Sequence, residues 1–174
     1  RFRNLSTSLP GPDRRAMRAT FGVTFPPILQ ALMREIHTEI EIDAAPDRVW
    51  AVLADVGAYS EWNPFLRSVR GDLKPGGRLE VIARVEDGPT LIFRPRILYV
   101  DPPRELRWRG ALLLPGLFKG EHIFRIEPAG EGCSRFLHSE KFAGLLMPFM
   151  GLLLRQNRRG YLLMNKALKA RAEQ

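Results

Sequence analysis

Alternation of apolar and polar side chains predicts most of the strands in this chain. From residue 36 to residue 42, isoleucine or threonine occupies every second position, and charged or polar side chains occupy the positions between them. Successive side chains of a strand point to opposite faces, so this pattern indicates a half-buried strand. Six further segments are predicted to be strands: 65–71, 79–86, 91–100, 106–110, 118–127 and 134–142. Asp87-Gly88 predicts a hairpin turn between the second and third of these.

Helical patterns occupy two places. Pro46 suits the first position of a helix and Asp47 complements its positive end, so a short helix begins there, and a second covers residues 58–62. Residues 145–171 have helical spacing. Their stripe facing the sheet consists of Leu146, Met150, Leu153, Asn157, Gly160, Met164 and Leu168.

The order of elements predicts an α+β fold: one strand, two short helices, six strands and one long helix. An antiparallel sheet with one apolar face must be covered, and only the terminal helix is long enough to cover it. A curved sheet around one helix leaves a hollow, which is a natural place for a ligand.

The first 34 residues differ from the rest. They contain four prolines, no regular periodicity and few acidic residues. We interpret residues 1–34 as an irregular N-terminal extension and residues 35–174 as the domain. The extension has two interpretations, an arginine-rich targeting segment or an over-extended start with Met33 as the initiator.

The net charge of +8 suggests nucleic acid or anionic lipid as a partner. Half of this charge lies in residues 1–35, and in the remainder basic and acidic residues are interspersed. No nucleic-acid-binding motif is present, so we expect no nucleic-acid partner and interpret the basic residues as a solvated outer face.

Cofactor motifs are also missing from the sequence. Cys133 is the single cysteine, which excludes an internal disulfide and gives no zinc-site spacing. There is no glycine-rich phosphate loop and no apolar run of the roughly 20 residues that span a membrane. We therefore predict no cofactor, no metal and a cytoplasmic protein.

Candidate chemistry lies on two of the predicted strands. Strand parity places His122 and Phe124 on one face, and it places Phe136, His138 and Glu140 on one face of the next strand. Polar groups among aromatic rings are costly unless they find partners. Three interpretations remain open: a buried hydrogen-bonded network, polar anchors in an apolar ligand pocket, or a metal site of two histidines and one carboxylate.

Four segments carry a family resemblance: 40–50, 61–65, 120–122 and 138–144. They resemble the START-related superfamily, and most of all its polyketide cyclase/dehydrase-like (SRPBCC) single-domain proteins. The resemblance covers residues 36–171 and implies a helix-grip fold. In that fold a curved antiparallel sheet wraps around a long C-terminal helix, with two short helices after the first strand. It implies no metal.

The relatives bind lipids, polyketides, quinones or hormones, and only some of them are enzymes, so the fold does not fix the function. The resemblance implies binding or transport of a small hydrophobic ligand such as a lipid, isoprenoid or polyketide. One alternative is a polyketide cyclase, aromatase or dehydratase, in which His138 or Glu140 acts as general acid or base. Another is a membrane-associated helper like those relatives that accompany carbon monoxide dehydrogenase.

The parity of the strands, the terminal helical segment and the loop 62–65, which we place at the cavity mouth, predict which side chains contact a ligand. They are Trp62, Phe65, Phe93, Trp108, His122, Phe124, Phe136, His138, Glu140, Phe149, Leu153 and Asn157. The uncharged stretch 142–154 is interpreted as a gate. A peripheral membrane contact through Leu145, Leu146, Phe149 and the arginines at 155, 158 and 159 is a further alternative.

Overall fold

Two antiparallel sheets and one long helix form the part of the chain that the structure, a computed structural model, describes: residues 32–84, 89–112 and 116–174. The strands are β1 (Met33–Ile42), β2 (Leu66–Gly71), β3 (Leu79–Arg84), β4 (Thr90–Phe93), β5 (Arg96–Asp101), β6 (Glu105–Leu112), β7 (Phe118–Pro128) and β8 (Ser134–Ala143). The helices are α1 (Pro46–Ala54), α2 (Tyr59–Trp62) and α3 (Gly151–Ala172), with 3-10 turns at Val56–Ala58 and Met147–Phe149.

The larger sheet has the strand order β1-β8-β7-β6-β5, and the smaller has the order β2-β3-β4. An isolated bridge between Arg78 and Arg96 links the two sheets. The long pairing of β7 with β8 positions the site, because it sets His122 opposite Glu140 and Phe124 opposite His138. All four side chains therefore lie close together on the concave face.

Helix α3 closes the concave face of the larger sheet, packing against β1, β8 and α1. Its buried face includes Gly160, whose lack of a side chain lets the Phe65 ring approach the helix. A Cβ atom at position 160 would lie 2.4 Å from Cδ2 of Phe65. The predicted helix-grip fold is thus confirmed, with a curved sheet held against one long C-terminal helix.

Three predicted boundaries were wrong. Segment 91–100 forms two strands rather than one: the chain breaks at Arg94 and Pro95, and since proline has no N–H to donate, the two halves join different sheets. The long helix begins at Gly151 rather than 145, after the 3-10 turn that contains Pro148. The first strand begins three residues earlier than expected, at Met33.

Two other predictions concern residues that the structure does not describe. The Asp87-Gly88 turn lies outside the described residues. The same is true of residues 1–31, so the division into an extension and a domain at residue 35 stays a prediction.

Candidate functional site

A cavity of about 70 Å³ lies between the concave face of the sheets and the N-terminal half of α3. Apolar residues form most of its wall, and its aromatic rings come from β4, β6, β7, β8, α3 and the segment before β2. The lining residues are Phe65, Ala83, Leu91, Phe93, Trp108, Gly110, Ala111, Phe118, Gly120, His122, Glu140, Phe142, Leu153, Asn157 and Tyr161.

Polar groups are confined to one wall of this cavity. Among the described residues that line it, the ionisable groups are His122, Glu140 and Tyr161, and none is a lysine or an arginine. His122 and Glu140 face each other across β7 and β8, and Tyr161 meets them from α3. The cavity therefore offers an apolar surface with one small hydrogen-bonding region.

A chain of hydrogen bonds behind this wall fixes the side-chain amide of Asn165. The hydroxyl of Thr38 donates to the backbone carbonyl of His138 at 3.2 Å, so its oxygen is free to accept. The Asn165 amide nitrogen donates to that oxygen at 3.0 Å. The amide oxygen of Asn165 must then face the ring of His138, and it lies 2.8 Å from Nδ1.

This orientation assigns the tautomers of both buried histidines. His138 donates its Nδ1 proton to Asn165, so its neutral ring accepts at Nε2. Nε2 of His122 lies 2.6 Å from that atom and must be the donor. Nδ1 of His122 is then an unprotonated nitrogen, and it lies 3.7 Å from Oε1 of Glu140.

Burial keeps both rings neutral. Desolvation lowers the pKa of His138 to about 3. It also lowers the pKa of His122 well below the usual histidine range, and the neighbouring His138 adds to that effect. At neutral pH each ring carries one proton, as the hydrogen-bond chain requires.

Glu140 is held as a neutral acid. Burial raises the pKa of its carboxyl group to about 8, and its side chain is only 13% exposed. The Tyr161 hydroxyl donates to Oε2, which places the carboxylic proton on Oε1, beside the bare nitrogen of His122. Gly120 makes room for this group, because a Cβ atom there would lie 2.4 Å from Oε1.

Two further polar atoms of the wall have no hydrogen-bond partner among the described residues. They are the indole Nε1 of Trp108 and the amide Oδ1 of Asn157. Both side chains line the cavity, and the residues are 1% and 7% exposed. One donor and one acceptor are thus available to a ligand in addition to the Glu140 acid.

The structure divides the predicted contact residues into three groups. Seven line the cavity: Phe65, Phe93, Trp108, His122, Glu140, Leu153 and Asn157. Phe124, Phe136 and His138 do not, because they lie deeper in the core, where the His138 ring stacks on Tyr161. Trp62 packs on Tyr59 instead, and Phe149 is 79% exposed on the outer surface. Ligand contact by any of them stays a prediction.

Sequence reasoning missed Tyr161, Asn165, Thr38 and Gly120. A signal for the first two was present, because Asn157, Tyr161 and Asn165 follow one another at intervals of four. Such spacing places three polar side chains on one face of α3, directed at the polar wall of the sheet. Thr38 and Gly120 had no comparable signal, since their roles depend on the partners that the fold supplies.

The metal-site interpretation does not fit this geometry. Nε2 of His122 and Nε2 of His138 point at each other as donor and acceptor, so their lone pairs cannot converge on one ion. Within residues 32–84, 89–112 and 116–174, no group of three His, Cys, Asp or Glu side chains could hold a metal. The polar wall is a hydrogen-bonded network.

Comparison with known families gives one match that spans most of the chain. The family model described as "Polyketide cyclase / dehydrase and lipid transport" matches residues 33–173. A comparison with curated protein sequences finds no significant match. None of the described helices combines the length and apolarity that a membrane span requires.

Solved structures with the same fold include enzymes and a protein of the START superfamily. The Zhui aromatase/cyclase from Streptomyces sp. R1128 is 21% identical with a TM-score of 0.68, over 81% of this chain and 94% of that one. A START superfamily protein from Mycobacterium smegmatis is 19% identical, with a TM-score of 0.64 and coverage of 80% and 97%. Norcoclaurine synthase from Thalictrum flavum is 15% identical, with a TM-score of 0.63 and coverage of 80% and 94%. The TM-scores establish the shared fold, and at these low identities the likeness shows the fold alone.

Proposed function

The chain belongs to the polyketide cyclase/dehydrase and lipid transport family, and on that premise we propose that it binds a small hydrophobic molecule between its sheets and α3. The observation that carries the proposal is the cavity itself, in which apolar residues form most of the wall and polar groups occupy one side. Ligand sites usually combine an apolar lining with a few placed polar groups.

The polar wall favours a neutral, oxygen-bearing ligand. No lysine or arginine among the described lining residues could pair with a carboxylate or phosphate. Glu140 is a neutral acid near pH 7 and can donate to a carbonyl oxygen, as can the indole N–H of Trp108. The amide oxygen of Asn157 can accept from a hydroxyl. Ketones and hydroxyls of a polyketide or isoprenoid match this set, whereas a charged head group does not.

The size of the cavity implies that the wall moves when a ligand enters. Its volume of about 70 Å³ is below the ~300–1,000 Å³ of pockets for drug-sized ligands. Leu153, in the first turn of α3, is half-buried and lines the cavity next to exposed residues. Outward movement of this turn would enlarge the cavity without disturbing the pairing of the sheets.

Mass spectrometry of organic extracts from the purified protein tests this proposal. We expect an uncharged, oxygen-bearing hydrophobic compound, and in solution a hydroxylated polycyclic aromatic probe should bind more tightly than a fatty acid of similar size. An empty extract together with no binding of either probe would contradict the proposal. Preferential binding of the fatty acid anion would contradict the neutral ligand class.

Acid–base catalysis is a second candidate, and the pairing of Glu140 with His122 favours it. In a β-hydroxy ketone, the bare Nδ1 of His122 could take the proton next to the carbonyl while Glu140 protonates the leaving hydroxyl. The products are the enone and water. The proton then returns from the His122 ring to the Glu140 carboxylate, which restores both groups.

The Glu140→Gln variant separates the two candidates. The glutamine amide keeps a hydrogen-bond donor of similar shape but cannot release a proton, so binding should persist. Any dehydration of a β-hydroxy ketone should fall by roughly 10²-fold or more. Turnover that is equal in the wild type and in Glu140→Gln would exclude this acid–base role and would leave the binding proposal standing.

A further inference from the structure

Three large apolar side chains lie exposed on the segment that leads from β8 into α3. Leu145, Phe149 and Leu152 are 61%, 79% and 62% exposed. They account for three of the seven large exposed apolar residues of the described chain, within eight consecutive positions. Single exposed apolar residues are ordinary, whereas such a concentration marks a surface that meets an apolar partner.

Positive charge follows this apolar surface directly. Arg155 and Arg158 are exposed in the next turns of α3. Arg155 lies three residues from both Leu152 and Arg158, a spacing that makes each pair neighbours on the helix surface. The sequence contains no acidic residue between positions 141 and 172. The surface therefore combines apolar side chains with basic ones that no acidic residue of the same stretch offsets.

We propose that Leu145, Phe149, Leu152, Arg155 and Arg158 form a docking face for a bilayer that contains anionic lipids. A segment of this kind lies in the plane of the interface, with its apolar side chains at the boundary of head groups and acyl chains. Arginines beside it are attracted by the negative potential of anionic lipids. The match of apolar and basic groups selects this partner.

A second copy of the chain fits this surface less well. An isologous dimer would bring the same face of two subunits together and would set the basic side chains of one copy near those of the other. Like charges repel when brought together, and no acidic residue of this stretch could offset them. An anionic surface supplies the missing negative charge.

The docking face is also the outer side of the cavity wall. Leu152 is exposed while its neighbour Leu153 lines the cavity, and Met147 in the preceding 3-10 turn is buried. Gly151 between them has open space around it. When the protein is docked on a bilayer, the first turn of α3, which forms the movable wall of the cavity, would thus lie against the acyl chains. This consequence rests on the proposed ligand binding, whereas the docking itself does not.

Flotation of the full chain with vesicles tests the docking face. We expect binding to vesicles of equal parts phosphatidylcholine and phosphatidylglycerol, weaker binding at high salt, and little binding to phosphatidylcholine alone. Phe149→Glu should abolish binding, because it sets a charge where an apolar ring must enter the interface. Leu98→Glu, a matched change of an exposed apolar residue on β5, should bind like the wild type.

Two double variants that change the net charge equally test the contribution of the arginines. Arg155→Glu with Arg158→Glu should weaken binding to the anionic vesicles by roughly tenfold or more. Arg67→Glu with Arg70→Glu removes the same charge from exposed positions of β2 and should have a small effect. Equal losses in the two doubles would show that net charge or the arginine-rich residues 1–34 carry the binding, and would overturn the proposal.

Three other results would overturn it as well: no vesicle binding by the wild type, no effect of Phe149→Glu, or a solution dimer that Phe149→Glu dissociates. Probe binding without vesicles keeps this proposal distinct from the proposed function. The Arg155→Glu, Arg158→Glu double should bind a neutral aromatic probe as the wild type does, even where it no longer binds vesicles.

Discussion

His122 and His138 are joined by one proton between Nε2 atoms that are 2.6 Å apart. The direction of that bond is set at the far end of the network, where Thr38 fixes the amide of Asn165. Every donor in the chain from Thr38 to His122 is thereby determined, and the unprotonated Nδ1 of His122 that results faces Glu140. A residue remote from the cavity thus sets the chemistry of its polar wall.

Thr38→Val tests this coupling, because it keeps the side-chain shape and removes the hydroxyl. The Asn165 amide loses its buried acceptor, and an unsatisfied buried donor costs about 1–3 kcal/mol. Urea denaturation should show a loss of that size, and nitrogen NMR should show mixed tautomers for His138. Thr90→Val, at an exposed position of β4, should change neither. A loss no larger than in the Thr90 variant would show that the hydroxyl does not orient Asn165.

The buried histidines predict loss of stability in acid. Folding lowers the pKa values of His122 and His138 below the usual 6.5, so the unfolded chain binds more protons below that pH. The free energy of unfolding should fall by roughly 1.4 kcal/mol per pH unit for each ring as the pH drops below about 6.5. His138→Gln should show a shallower acid slope in thermal melts followed by circular dichroism. An unchanged slope would mean that the ring is charged in the folded protein.

The raised pKa of Glu140 predicts the opposite trend: the free energy of unfolding should fall as the pH rises above about 6.5. Folding raises its pKa from 4.5 to about 8, so the folded protein binds the extra proton between those values and stability falls as the pH rises. Below pH 6.5 the stabilising effect of rising pH on the two histidines is larger than the destabilising effect on the one carboxyl group. The free energy of unfolding therefore has its maximum near pH 6.5. Glu140→Gln should flatten the decline between pH 6.5 and 8. A decline that persists in this variant would assign it to another group.

Gly120→Ala tests the space that holds the Glu140 carboxyl. The added Cβ would lie 2.4 Å from Oε1, so the carboxyl must shift and its contact with Tyr161 must break. A loss of about 1–3 kcal/mol is expected from crowding a packed core. Gly151→Ala adds the same methyl group in open space and should cost nothing measurable. Equal stability of the two variants would contradict the close packing of Gly120 against Glu140.

The hydrogen bonds of Asn63 predict that two substitutions at this position differ in their effect on stability. Its side-chain oxygen accepts from the backbone N–H groups of Phe65 and Leu66 at 3.0 and 2.9 Å, which directs the Phe65 ring toward α3. Asn63→Ala leaves two buried donors unpaired and should cost about 2–4 kcal/mol. Asn63→Asp keeps the acceptor and should cost less in chemical denaturation. If the aspartate variant were the less stable of the two, the acceptor role would be wrong.

Strand parity predicted the shared face of His122, His138 and Glu140, because alternation follows from the backbone alone. It could not predict that His138 lies behind His122, since that depends on where α3 crosses the sheet. The position of Phe149 was missed for a related reason. Helical spacing was extended back to residue 145, but the 3-10 turn with Pro148 changes the phase and leaves the ring exposed.

The family-level fold was predictable because the alternating strands and the one long helix permit few arrangements. Pro95 signals the split between β4 and β5, although the apolar residues on both sides of it suggest one continuous strand. The hydrogen-bond network, by contrast, could be identified only from the structure. Asn165 and Thr38 are 127 positions apart in the sequence, and their hydrogen bond exists only after α3 has packed on β1.

Ligand entry into the cavity can be tested on two adjacent leucines. Leu153 lines the cavity while Leu152 is exposed, so a tryptophan at position 153 fills the cavity and one at position 152 does not. Titration of a neutral fluorescent aromatic probe without vesicles should give an affinity at least roughly tenfold weaker for Leu153→Trp and a wild-type affinity for Leu152→Trp. Equal probe affinities for the two folded variants would contradict binding inside this cavity.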